Sequence, residues 1–327
     1  MTAETLRPKN KQANTSPAMH FQERDGAMLE AIYEYDGILA RRHLKQMFWH
    51  DKTWRAMEMR LSKLHGQGYL DWPNAKERQI RAIPEPICWL GWKGVLWLAS
   101  ERGIQVEEPK SSNESQLRLL ERRLREAGIH WLREPRWSQL KHDLAIVDVR
   151  LAVEKAVKEL PFLELETWIH ESAFRFRMDV VHCTVPGANG RVKPIKKGVR
   201  PDGFFIILDK NRLGQSLPAR ARFLLELDLA SHDNPSFGRE KVIPGLAYLK
   251  SPAYKARFGA NSGRWLVIST GSVRLKNLLA QTRLTAGATA DIFFFTTFDQ
   301  IQCGNVLTSP VWWQLGQKDR VALIPSE

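Results

Sequence analysis

Two acidic segments set inside apolar runs constrain this chain more than any other feature. Arg200-Pro201-Asp202-Gly203 opens the run Phe204-Phe205-Ile206-Ile207-Leu208, and further on Phe223-Leu224-Leu225 leads into Glu226-Leu227-Asp228. Each run has the length and composition of a buried strand. Each carboxylate therefore sits where an unpaired charge costs several kcal/mol. Two arrangements satisfy such groups. Glu226 and Asp228 are salt-bridged fold residues on a sheet face, or the carboxylates converge at strand ends on a divalent cation, the arrangement that phosphodiester cleavage requires. Glu226 and Asp228 lie two residues apart, so a regular strand turns both toward one face.

With 327 residues the chain has room for two domains. Its net charge of +13 favours a polyanionic partner, nucleic acid first among them, without choosing between DNA, RNA and acidic lipid. No apolar run approaches the roughly 18 residues of a membrane span. No N-terminal stretch has the basic, apolar, small-residue order of a secretory signal. Cys88, Cys183 and Cys303 form no CxxC pair, which argues against a zinc ribbon and against a disulfide framework. The expected compartment is a reducing cytoplasm.

Residues 1–20 are polar and Pro-containing and read as a disordered leader. Helical spacing then appears in Met28, Leu29, Ile32 and Tyr33, ending near Asp36-Gly37. It returns over Ile38 to Trp49, and again from Lys52 to Gly66 through Trp54, Met57, Leu61 and Leu64. Tyr69 to Pro73 reads as a strand entering a turn, Lys76 to Arg81 as its polar return, and Ile87 to Leu90 as a second strand. Three short helices followed by a strand pair form the winged helix-turn-helix pattern. The third helix carries Lys52, Arg55, Arg60 and Lys63 off its apolar face, as a recognition helix presents cations to phosphates and base edges. The Trp-rich stretch 89–97 reads as core packing behind the wing, with a base-stacking platform as the alternative. This domain is expected over residues 21–108, with a linker and connecting helix over 109–137, capped at Asn113 or Ser115.

From residue 138 the pattern changes. A long amphipathic helix over His142 to Leu160 precedes strands at 163–171, 203–208, 222–229, 265–268 and 292–298, with helices at 237–250 and 273–282. The stretch Gly187 to Gly198, rich in Gly, Pro and Lys, reads as a loop. This is an α/β domain around one mixed sheet, over residues 138–327. His142-Asp143 reads as a helix N-terminal cap pair with acid–base work as the alternative, Asp148 and Glu171 are weaker acid candidates with surface carboxylates as the plain alternative, and His170, His182 and His232 have no ligand spacing.

Several of these segments, in this order, resemble the replication-relaxation family of plasmid and mobile-element proteins. They are Arg60 to Leu70, His142-Asp143-Leu144-Ala145-Ile146-Val147-Asp148-Val149-Arg150, the Asp202 and Glu226 segments, Lys241, Tyr248, Phe294-Phe295-Thr296-Thr297 and Trp312-Trp313. The resemblance implies a winged-helix DNA-binding domain joined to a restriction-endonuclease-like domain, a mixed sheet flanked by helices and similar to the PD-(D/E)XK nuclease core. It implies action in plasmid replication, relaxation or mobilisation. In that core, Asp202 and Glu226 match the acids, while Asp228 stands where a lysine is expected. Two rescues follow: Asp228 serves as a further metal ligand, or Lys241 on the next helix supplies the cation. The expected metal site is Asp202, Glu226 and Asp228 holding Mg²⁺. The expected partners are double-stranded DNA, a relaxase or replication protein, and a second copy of the chain. An active Mg²⁺-dependent DNA endonuclease, a degenerate nuclease domain kept as a platform, and a winged-helix transcriptional regulator remain as separate readings.

Overall fold

The computed structural model describes residues 20–186, 191–216, 218–229, 233–302 and 304–325. The expected leader up to residue 19, His232 and Cys303 lie outside the described residues. The chain divides into two compact units, Met1–Trp137 and Ser138–Glu327. Among the described residues no helix is long and apolar enough to cross a membrane.

The first unit runs α1 (Glu23–Glu34), β1 (Ile38–Ala40), α2 (Arg41–Phe48), α3 (Trp54–Gly66), β2 (Leu70–Asp71), α4 (Ala75–Ile80), β3 (Ile87–Leu90), α5 (Trp92–Glu101) and α6 (Glu114–Glu126). Met28, Leu29 and Ile32 of α1, Leu44 of α2, and Met57, Leu61 and Leu64 of α3 are fully buried, so the helical spacing of the sequence is the core itself. Thr53 starts α3 by accepting the Ala56 N–H, and Asn113 starts α6 by accepting that of Gln116. The sheet has the order β1-β3-β2 and is antiparallel throughout. Trp89 is buried in β3, and the Trp97 ring lies where a Cβ on Gly26 would meet it at 2.7 Å, which is core packing.

Two expectations fail here for local reasons. Residues 38–49 are not one helix, because Ile38–Ala40 pairs with β3 and the helix starts only at Arg41. Asp36 and Gly37, both at positive φ, turn the chain into that strand. The polar return at Lys76 to Arg81 is instead the short helix α4. A reciprocal cap starts it: Glu77 N–H donates to Asn74 Oδ1 at 2.9 Å, and Asn74 N–H donates to Glu77 Oε2 at 2.8 Å.

The second unit begins with α7 (Leu140–Lys158), then β4 (Leu163–His170), α8 (Glu171–Phe176), β5 (Asp179–Pro186), β6 (Val192–Val199), β7 (Gly203–Asp209) and β8 (Arg220–Asp228). It continues with α9 (Asn234–Phe237), a π-helical turn (Gly238–Val242), α10 (Ile243–Leu249), α11 (Pro252–Phe258), β9 (Arg264–Ser269), α12 (Ser272–Ala286), β10 (Phe293–Thr297), α13 (Phe298–Ile301) and β11 (Trp313–Gln314). Six strands form one sheet in the order β11-β10-β9-β8-β7-β4. The β4-β7-β8 part is antiparallel and the β8-β9-β10 part parallel. Val149 and Val153 of α7 cover one face with Phe205, Phe223 and Leu225; Tyr248, Leu275 and Leu278 cover the other with Phe204, Leu224 and Trp265. Burial on both faces is why β7 and β8 read as unbroken apolar runs rather than as alternation.

The expected loop from Gly187 to Gly198 is corrected over its described part. Val192–Val199 is strand β6, paired with β5 from Asp179↔Val199 to Pro186↔Val192. Cross-strand pairing overrides the weak strand propensity of Pro194, Lys196 and Gly198. Arg175 belongs to the short helix α8.

This two-stranded ribbon is tied to the helices through Asp179. Tyr248 Oη and Arg257 Nε each donate to Asp179 Oδ2 at 2.5 Å, and Arg257 Nη2 donates to Oδ1 at 3.0 Å. Burial would raise the Asp179 carboxyl, but Arg257 and Tyr248 outweigh it and hold the group below its ordinary value. A depressed folded pKa stabilises the protein above the ordinary carboxylate pKa of about 3.9 and ceases to as pH falls through the lower folded value. Asp179→Asn is expected to cost about 2 kcal/mol near neutral pH, the scale of a charged hydrogen bond. The gap between variant and wild type should shrink below about pH 4. Thermal melting across that range checks it, and parallel pH profiles would show that the cluster does not form.

Candidate functional site

Where β7 begins, Asp202 continues its ladder with a side chain. The Asp202 N–H donates to the Leu225 carbonyl at 2.8 Å, and the next residue, Gly203, pairs with Leu225 in register. Asp202 Oδ2 then accepts the Leu227 N–H at 2.6 Å. A buried N–H of β8 is thereby satisfied beyond the end of the strand pairing. The same oxygen lies 3.2 Å from Nε2 of His142, in the first turn of α7. Burial would lower the His142 pKa, but the Asp143 and Asp202 carboxylates raise it to about 10. Burial works against the Asp202 charge, and His142, Lys241 and the Leu227 N–H more than offset it, leaving its pKa lowered.

Glu226 is buried one residue before Leu227, and Lys241 meets both its oxygens, with Nζ 2.6 Å from Oε1 and 2.8 Å from Oε2. Burial, with the neighbouring Asp202 charge, pushes the Glu226 carboxyl up to about 7 against the pull of Lys241. Burial would also neutralise Lys241, but the charges of Glu226 and Asp202 raise its pKa. Lys241 stands in the π-helical turn, and a Cβ on Gly238 in that turn would lie 2.6 Å from Thr285 Oγ1 of α12. Only a glycine lets the turn sit so close. A cavity of about 290 Å³ opens on the Glu226–Lys241 pair, walled by Phe237, Trp265, Lys197 and Arg200.

Asp228 follows on the same strand face and is held by the fork of Arg274. Nε lies 2.5 Å from Oδ2 and Nη2 lies 2.9 Å from Oδ1. Arg274 also donates from Nη1 to Asn234 Oδ1 at 2.6 Å. Each of the three carboxylates has its own cation, carried by α7, the π-helical turn and α12 in turn.

Among the described residues, no three His, Cys, Asp or Glu side chains come together as a metal-binding group. Both Asp228 oxygens face Arg274, so the expected three-carboxylate set is not the one presented. Asp202 and Glu226 are the two acids near enough to act on one another, the Asp202 charge raising the Glu226 carboxyl. These are hard oxygen ligands of the kind Mg²⁺ takes, one or two carboxylates with waters filling the remaining positions. Lys241 would have to yield one Glu226 oxygen.

Other expected residues fall elsewhere. Glu171, weighed against a surface carboxylate, is buried between Arg175 Nη1 at 3.3 Å and Arg200 Nε at 3.4 Å. Asp148 is half-buried on α7. In the first unit, Arg60 points inward: its Nε donates to Asp25 Oδ1 at 2.8 Å, its Nη2 also meets Asp25, and Nη2 donates to the His20 carbonyl at 2.8 Å. That guanidinium braces α1 against α3. Arg55 and Lys63 are exposed on α3 beside Met59 and Ser62. Lys52 is exposed just before the helix, 3.2 Å from Asp51.

Sequence reasoning missed two members of the charged row. His142 reads as a helix-terminal pair, and nothing in the local sequence around Arg274 marks it. The available signal was a matter of accounting: three buried carboxylates demand three cations. Breaking a buried pair from one side strands the other charge. Asp228→Asn and Arg274→Met are each expected to destabilise by about 3 kcal/mol, with the double variant well short of their sum. A double-mutant cycle in urea measures that coupling, and a value near zero would mean the fork is not formed.

No curated protein matches the chain. The replication-relaxation family model matches residues 29–242, a span that begins in α1, includes all of α3 and reaches past Asp202, Glu226, Asp228 and Lys241. Arg274 lies beyond it. On that match the chain belongs to the replication-relaxation family.

Proposed function

We propose that this chain is a DNA-binding protein acting in the replication, relaxation or mobilisation of plasmids or other mobile elements, with a nuclease-like centre in its second unit. One observation carries the nuclease-like reading: the Lys241 ammonium reaches both oxygens of Glu226, within range of the Asp202 charge. Two acids and a cation are the functional groups of a PD-(D/E)XK centre, with the cation arriving from the following helix instead of from the strand.

In this reading each residue has a separate task. A divalent cation held by Asp202 and Glu226 would supply Lewis-acid activation of phosphate and water. Lys241 places a fixed positive charge where negative charge develops on the phosphorus centre. Arg274 keeps Asp228 out of that work. The pairing of all three carboxylates supports a second reading, a platform that holds DNA or a relaxase-like partner without cutting, since the row is charge-balanced with no metal.

Incubation of supercoiled plasmid with the purified protein and Mg²⁺ or Mn²⁺ separates the two. Cleavage that falls by about a hundredfold in Glu226→Gln and in Lys241→Met supports the nuclease. Intact plasmid, together with a melting temperature indifferent to both metals, supports the platform.

The first unit is read here as a winged helix that docks duplex DNA. Its support is the order of helices and strands, the net charge of +13 and the exposed cations on α3. Reversing Arg55 and Lys63 together is expected to make the salt dependence of duplex binding shallower by about 2 in log K against log[salt], close to one per lost phosphate contact. Arg60→Ala should instead lower the melting temperature. Titrations at several salt concentrations check both, and an unchanged slope in the double reversal removes α3 from the interface.

A further inference from the structure

Phe176 ends α8 with 92% of its surface exposed, while Phe174, two residues earlier, is completely buried. The backbone around this ring is anchored on both sides. Upstream, the buried Glu171 carboxylate faces Arg175 and Arg200. Downstream, Arg257 donates to the Arg177 carbonyl at 2.5 Å and grips Asp179. Met178, itself half in solvent, crosses Gly198 of β6, where an added Cβ would meet its sulfur at 2.5 Å. The ring is therefore held out into water by a fixed support.

Its setting is cationic. Arg175, Arg177, Lys196 and Arg200 are all exposed, whereas the nearby acids Glu171 and Asp179 face inward and are paired. Met178 and Arg200 also wall the cavity that opens on Glu226 and Lys241. An exposed aromatic face among cations matches the composition of a single strand of nucleic acid, whose bases offer open π-faces and whose phosphates need counter-charges. In a duplex those faces are covered, and opening them costs a few kcal/mol per step.

We propose that Phe176 is a base-stacking residue that receives an unpaired base of single-stranded DNA, with the flanking phosphates lying along Arg175, Arg177, Lys196 and Arg200. The proposal rests on the DNA-binding reading above and specifies the form of DNA that reaches the acidic centre. The second unit then handles an unwound strand, and duplex binding is left to α3.

Fluorescence anisotropy of the full-length protein with a fluorescein-labelled oligothymidylate and with a blunt duplex tests it. Phe176→Ala is expected to melt like wild type, to bind the single strand about tenfold more weakly and to leave duplex affinity unchanged. Phe176→Trp should restore single-strand binding, and Phe176→Leu should not. Unchanged single-strand affinity in Phe176→Ala, or equal rescue by Leu and Trp, overturns the stacking role and leaves the ring to a protein partner. A wild-type protein that binds duplex but no single strand overturns this inference alone. One that binds neither also overturns the DNA-binding reading.

Discussion

A carboxylate closed into a sheet must be met by a positive charge, and the second unit meets that demand with three different helices. His142 from α7, Lys241 from the π-helical turn and Arg274 from α12 converge on Asp202, Glu226 and Asp228. Apolar contacts bring those helices to the sheet but leave their sliding and rotation loosely fixed. A salt bridge of this kind adds little net stability, because desolvation offsets most of the attraction. It penalises any arrangement that leaves a charge unpaired, so the row sets the positions of the helices more than it strengthens the fold.

The elements most legible in the sequence are those whose physics is local. Phe204 to Leu208 and Phe223 to Leu227 are strands because both their faces are covered, and no other use suits such runs. That Glu226 and Asp228 share a face follows from the two-residue period alone. Strand β6 is the opposite case: its Lys, Pro and Gly residues give no local signal, and only its partner β5 makes it a strand. In the first unit, α4 arises from a cap, a local device that a short polar stretch conceals.

The charged residues divide the same way. Sequence reasoning identifies which side chains carry charge on the exposed arc of α3, but not which are claimed by a neighbour. Arg55 and Lys63 stay outward and Arg60 turns to Asp25, although all three belong to one helix. Asp25 sits in the first turn of α1, where a carboxylate also favours the helix dipole, so nothing nearby in sequence announced a second role. Glu171 is hidden for half the same reason: Arg175 lies four residues on in α8, but Arg200 comes from the far side of β6.

The π-helical turn at Gly238–Val242 gives Lys241 its position by helical phase. A π turn takes up one more residue than the α-helical turns on either side, which rotates everything after it by roughly 100° relative to a continuous α-helix. The reach from Lys241 to Glu226 is thus a property of winding, and counting residues between them is uninformative. Wound regularly, the same segment would present its side chains at a different angle to the sheet. Glycine at 238, small enough to let the wider turn press on α12, keeps the phase where the acid needs it.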